Sequence, residues 1–97
     1  MSRLVVFSPR AANDLDEIFI YVAADNLSAA SRLIQMLEEA CMLFGEHPAI
    51  GQRRTEFSGE IRSFSRGSYV IFYRVTADRV EIVRILHGAR DQTGLIE

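Results

Sequence analysis

The chain contains no lysine and no tryptophan, and only one cysteine and two prolines among its 97 residues. With Cys41 alone, neither an intrachain disulfide nor a multi-cysteine zinc site can form. No apolar run approaches the ~20 residues needed to span a bilayer, and the amino terminus lacks the charged and apolar regions of a signal peptide. No membrane partner is expected, and a cytoplasmic location is. The absence of a P-loop, of GxGxxG and of metal-ligand spacings predicts no cofactor and no metal. Without lysine, all eleven basic residues are arginine. Genomic codon usage would produce that, as would a need for planar, bidentate pairing with carboxylates or phosphates.

What is present describes one ordinary globular domain over residues 1–97. The apolar fraction is 48% and the charged fraction 25%, values that support a packed core rather than disorder. A chain this long buries roughly two-thirds of its unfolded surface but has no room for a second core. The net charge of −2 conceals an asymmetry: residues 1–50 carry three arginines against seven acids, residues 51–97 eight against six. A net-acidic chain is a poor ligand for duplex DNA by itself, so direct DNA binding is not expected.

Leu4-Val5-Val6-Phe7 reads as a strand, closed by Ser8-Pro9, which suits a helix start with Ser8 as N-cap and Pro9 at the first helical position. Leu15, Ile18, Phe19 and Val22 then recur with helical spacing, with Asn13, Asp14, Asp16 and Glu17 assigned to the solvent face. This helix is expected to end near Ala24. Asn26 or Ser28 caps a second helix with the stripe Ala30, Leu33, Ile34, Leu37, Ala40, Cys41 and Phe44, ended by Gly45 and Pro48. The short link makes the two an antiparallel hairpin.

Residues 46–60 have little periodicity and read as a surface connection of about 15 residues. Residues 61–65, 68–75 and 80–87 follow as three strands joined by turns at Arg66-Gly67 and around Ala77-Asp78. In the middle strand Tyr69, Ile71, Tyr73 and Val75 share one face, while Val70, Phe72 and Arg74 share the other. Both faces are largely apolar, so the one away from the helices requires cover from a partner or from the carboxyl-terminal tail. Arg62, Arg66, Arg74, Arg79, Arg84 and Arg90 lie in or beside this meander, as in a sheet that presents cations.

The order of these elements resembles the RelE/ParE superfamily of bacterial toxins, and within it the ParE branch. The likeness rests on Ser8-Pro9-Arg10-Ala11, on Glu46-His47-Pro48 with Gly51, and on Ile61-Arg62-Ser63-Phe64. It continues through GSYVIFYRV from Gly67 and IVRILHGARD from Ile82. The resemblance implies an α+β fold: an N-terminal strand at a sheet edge and an antiparallel helical hairpin packed on a small, mainly antiparallel sheet. It also implies the toxin of a two-gene toxin–antitoxin module, neutralised by a ParD-like antitoxin and, when free, inhibiting DNA gyrase by stoichiometric binding.

Placed on this sequence, antitoxin contacts are expected at Leu15, Phe19 and Tyr73, with Arg62, Arg74 and Arg84 as cationic partners. The alternative for those arginines is pairing within the chain to Glu60, Asp78 or Glu81. Target contacts are expected from the end segment, at His87, Arg90 and Asp91. The runner-up is a ribosome-dependent messenger RNA endonuclease of the RelE type, with His87 moving the proton and Arg90 holding the phosphate. Against it, Val70 stands where nuclease relatives have an arginine, no lysine precedes that strand, and no tyrosine follows Tyr73. A third reading is a non-toxic scaffold that assists an antitoxin on its operator. Plainer roles are a strand-end His87 bonded to loop backbone, a solvated cap for His47, a solvated pair for Arg53 and Arg54, and a core place for Cys41.

Overall fold

A computed structural model describes residues 2–89 and 94–96. The elements are β1 (Leu4–Phe7), α1 (Pro9–Ala23), α2 (Leu27–Glu46), β2 (Gln52–Arg53), β3 (Ile61–Arg66), β4 (Tyr69–Val75) and β5 (Arg79–His87). The five strands form one sheet in the order β1-β5-β4-β3-β2. β1 lies parallel to β5 at one edge, and the other neighbours are antiparallel. The α+β class, the edge position of the first strand and the helical hairpin are as expected. Among the described residues no helix is long and apolar enough to cross a membrane.

Local chemistry sets the helix boundaries. Ser8 Oγ accepts from Ala11 N at 3.0 Å and Asn26 Oδ1 from Ala29 N at 3.0 Å, each satisfying one of the amide donors a helix start leaves free. α2 buries Ala30, Leu37, Ala40, Cys41 and Phe44, the stripe its 3.6-residue period requires. Phe44 stacks on Tyr73 with ring centroids 4.0 Å apart and meets Phe64 edge-on at 5.5 Å. Such aromatic pairs contribute about 0.5–1.5 kcal/mol each beyond their buried area. At the β3–β4 turn Gly67 takes φ +59°, the left-handed conformation open to glycine at little strain.

β5 carries an irregularity that the sequence reading did not anticipate. Phe72 pairs with Arg84 but the next residue, Tyr73, pairs with Ile82, leaving Val83 as an extra residue. Such a bulge reverses the alternation of side chains along its strand. Val80, Ile82 and Ile85 therefore all reach the helix-facing core, while Val83 and Leu86 fall on the opposite face.

That opposite face holds a second apolar cluster of Phe57, Ile61, Phe72, Leu86 and Ile96. Its cover is internal and comes from two irregular segments. One is the tail, where Ile96 is 7% exposed. The other is the connection after α2, which corrects the expectation of a plain surface loop: it contributes β2 and turns Phe57 onto the sheet, edge-on to Phe72 at 5.8 Å. Arg54 is likewise not half of a solvated pair. Its guanidinium lies 5.3 Å and 5.5 Å from the Phe57 and Phe72 ring centroids, donates to Ser63 Oγ at 3.1 Å and pairs with Glu56 at 2.7 Å. The Arg54 hydrogen bond holds the Glu56 carboxyl below its ordinary range.

Candidate functional site

Three arginines of the meander, Arg62, Arg74 and Arg84, turn inward, each fixing a non-regular segment to the sheet. Arg62 Nη1 donates to Gly51 O at 2.8 Å, holding the connection after α2. From β4, Arg74 Nε donates to Gly59 O at 3.1 Å and Nη1 to Glu81 at 3.1 Å, the pairing named as its alternative. Arg66 and Arg79 are exposed, and Arg79 approaches Asp78 at 3.6 Å. A sheet that presents cations is therefore true of its turns and not of its interior.

Arg84 has a partner the sequence reading missed. Its Nε and Nη2 donate to the two oxygens of Asp14 at 2.8 and 2.9 Å, and Ile85 N donates to Asp14 Oδ2 at 2.9 Å. Asp14 is 5% exposed, which corrects its assignment to the solvent face of α1. The cause is topological: β1 ends opposite Ile82, and Asp14 takes the Ile85 amide on the stretch of β5 that β1 no longer covers. Hydrogen bonding to the carboxylate raises the Arg84 pKa further above its usual value against the opposing effect of burial. The remaining guanidinium nitrogen, Nη1, donates to Leu95 O at 2.9 Å. One side chain thus joins α1, β5 and the tail.

Tyr73 also departs from the role expected of it. It is 0% exposed, so its ring belongs to the core and offers no outer apolar contact. Its hydroxyl donates to Pro48 O at 2.8 Å and accepts from Gly51 N at 2.8 Å. A Cβ on Gly51 would lie 2.6 Å from that oxygen, so this close approach requires glycine. Burial is the main cause that raises the Tyr73 pKa, opposed by the Gly51 bond and the nearby Arg62 charge. A tyrosinate base is disfavoured there. Cys41 is buried, and its thiol is pushed up to about 12 by desolvation, with Glu38 adding to it. That is a core thiol and not a nucleophile.

Leu15 and Phe19 are half-buried, Leu15 packing on the main core. The exposed apolar residues of the hairpin are instead Ile20 (68%), Tyr21 (81%) and Leu27 (63%) near its turn, with Met42 and Leu43 toward the end of α2. Ile20 and Tyr21 fall outside the stripe that periodicity selects, so only structure identifies them. His47 is exposed and caps the end of α2. His87, exposed at the end of β5, accepts from Ala89 N through Nδ1 at 3.1 Å and meets Tyr69 edge-on with ring centroids 5.4 Å apart. Arg90 and Asp91 lie outside the described residues. Between α1 and the end of β5 runs a groove of about 370 Å³, lined by Asp14, Glu17, Ile18 and Tyr21 on one side and by Tyr69, Ile85, Leu86 and His87 on the other.

Cleavage of an RNA strand at its 2′-hydroxyl requires a base, an acid and cations converging on one phosphate. Arg62, Arg74 and Arg84 are engaged by internal acceptors, and the His87 ring is oriented by backbone.

Comparison with known proteins agrees in fold and family. A family model described as the ParE toxin of the type II toxin–antitoxin system parDE matches residues 5–92. The chain is 37% identical over 81 residues to toxin ParE1 of Caulobacter vibrioides, covering 82% of this chain and 83% of that protein. It is 33% identical to toxin RelE1 of the same organism, covering 91% of this chain and 96% of the relative. A solved chromosomal ParDE toxin–antitoxin system from P. aeruginosa superposes with a TM-score of 0.73 at 24% identity, over 89% of this chain and 96% of that one.

Proposed function

The chain belongs to the ParE toxin family of type II toxin–antitoxin systems, within the ParE/RelE superfamily, and from that premise we propose that it inhibits DNA gyrase by stoichiometric binding and is neutralised by a ParD-like antitoxin. No bond is made or broken by its own side chains. The observation that carries this reading is the commitment of the sheet cations to structure: Arg84 is held by Asp14 and Leu95, Arg74 by Gly59 and Glu81, and Arg62 by Gly51.

Antitoxin lies along the hairpin, with Ile20, Tyr21 and the half-buried Phe19 as apolar contacts. Arg62 and Arg74 keep partly exposed surface for its carboxylates. The end segment from His87 engages the target, with Arg90 and Asp91 as its polar groups. The deciding experiment is a supercoiling assay with purified gyrase. Inhibition at near-equimolar toxin, reversed by a ParD-like antitoxin, is expected. Undiminished supercoiling at a large excess of folded toxin refutes the reading.

One observation favours a second reading, an endonuclease of the RelE type: His87 stands exposed at a strand end on a chain 33% identical to a protein named RelE1. Cleavage of ribosome-bound message by the purified chain, lost on His87→Ala, would establish it in place of the first.

A further inference from the structure

The groove between α1 and the end of β5 has a chemistry that the inward-turned arginines do not account for. Glu17 and Tyr21 stand four residues, about one turn, apart on one wall, and Tyr69 and His87 form the other. Two carboxylates, Asp14 and Glu17, border it against one guanidinium. Arg84 pairs with Asp14 through both of its oxygens, whereas among the described residues Glu17 Oε2 accepts from the neutral Asn13 amide alone, at 3.3 Å. Among these residues Glu17 forms no ion pair of its own, although its charge is felt by Arg84. Tyr21 is 81% exposed, so its ring face is available, and Ile18 supplies apolar lining.

A carboxylate beside aromatic faces over an apolar floor suits a side chain with an aliphatic stem and a cationic head. We propose that this groove receives one arginine or lysine side chain of a peptide partner. The stem lies on Ile18 and the head between Glu17 and the rings of Tyr21 and Tyr69. The inference rests on the toxin–antitoxin reading only in taking the antitoxin as the natural source of that peptide. It runs opposite in charge to the contacts expected of Arg62 and Arg74.

The test uses the intact chain and two small probes, N-acetyl-arginine amide and its neutral isostere N-acetyl-citrulline amide, titrated at matched ionic strength while backbone amide NMR shifts are followed. The arginine probe is expected to shift Glu17, Tyr21, Tyr69 and His87 saturably and to bind about fivefold more tightly than citrulline. Glu17→Gln, an exposed and conservative change, should make the two probes equal. Equal binding in the unaltered chain, a preference that survives Glu17→Gln, shifts elsewhere on the surface, or no saturable shift from either probe would overturn the proposal. Neither gyrase nor antitoxin enters the measurement, so its outcome is independent of whether the gyrase reading holds.

Discussion

Asp14→Ala removes the acceptor of three hydrogen bonds, from Arg84 Nε, Arg84 Nη2 and Ile85 N. It leaves a guanidinium whose side chain is 12% exposed without its counter-charge, and a strand amide with no acceptor. Removing one member of a buried ion pair costs about 3–5 kcal/mol. The residual exposure of Arg84 places the expected loss at the lower end, about 3 kcal/mol. For a domain of about 100 residues each kcal/mol lowers the melting temperature by roughly 4–8 °C, giving a fall of about 12–24 °C. Urea unfolding is the assay, where the midpoint should fall with an unchanged slope. The double variant Asp14→Leu with Arg84→Met replaces both charges with apolar groups, so it should lose less than the sum of the single changes, with a coupling of about 1–3 kcal/mol. A cost below about 1 kcal/mol for Asp14→Ala, or strict additivity in the double variant, would refute the assignment of this pair as the joint between α1, β5 and the tail.

Tyr73→Phe leaves Pro48 O and Gly51 N without the hydroxyl that serves both; a loss of about 1–3 kcal/mol is expected by thermal melting, and an unchanged melting temperature would contradict it. Gly51→Ala should be at least as damaging, because the new methyl would meet Tyr73 Oη at 2.6 Å and Ser63 O at 2.9 Å. For Cys41 the folded pKa lies above the unfolded one, so the neutral thiol's contribution is complete below about pH 8.5 and declines as pH rises toward 12. Tyr73, raised in the same direction, adds a further decline above about pH 10. Urea midpoints should therefore fall more steeply above pH 9 in the native sequence than in Cys41→Ala, and parallel curves would count against the burial of that thiol. Deleting residues 88–97 strips Leu95 O from Arg84 and Ile96 from the second apolar cluster, so it should lower the melting temperature as well as toxicity. Replacing Arg90 and Asp91 with alanine is expected to reduce toxicity, read beside the melting temperature of the same variant; undiminished toxicity would contradict their role in target contact.

Periodic segments were legible in the sequence because their spacing is physical. The α2 stripe from Ala30 to Phe44, the Ser8 and Asn26 caps and the two faces of β4 follow from helical and strand repeats. Asp14 is not legible as a buried residue, because its charge argues for the solvent face while its position argues for the inner one. It lies three residues after the buried Ala11 and four before the partly buried Ile18, a spacing that places it on the inner stripe, but its partner is 70 residues away. Phe57 and Ile96 cover the second sheet face from segments without any period, so their place was visible only as a need for cover. The extra residue at Val83 likewise leaves no local signal, and it decides which of Ile82, Val83, Ile85 and Leu86 reach the main core. At the candidate site, His87 bonded to backbone and Arg74 paired with Glu81 were legible as the plainer alternatives, whereas the exposure of Ile20 and Tyr21 depends on how the hairpin sits on the sheet.

The most direct test of the central claim is inducible expression without antitoxin, followed within minutes by separate pulse labelling of new DNA and new protein. Early loss of DNA synthesis while protein synthesis continues is the predicted result. Early loss of protein synthesis, with cleaved messages on ribosomes, would contradict it and assign the activity to a nuclease centred on His87.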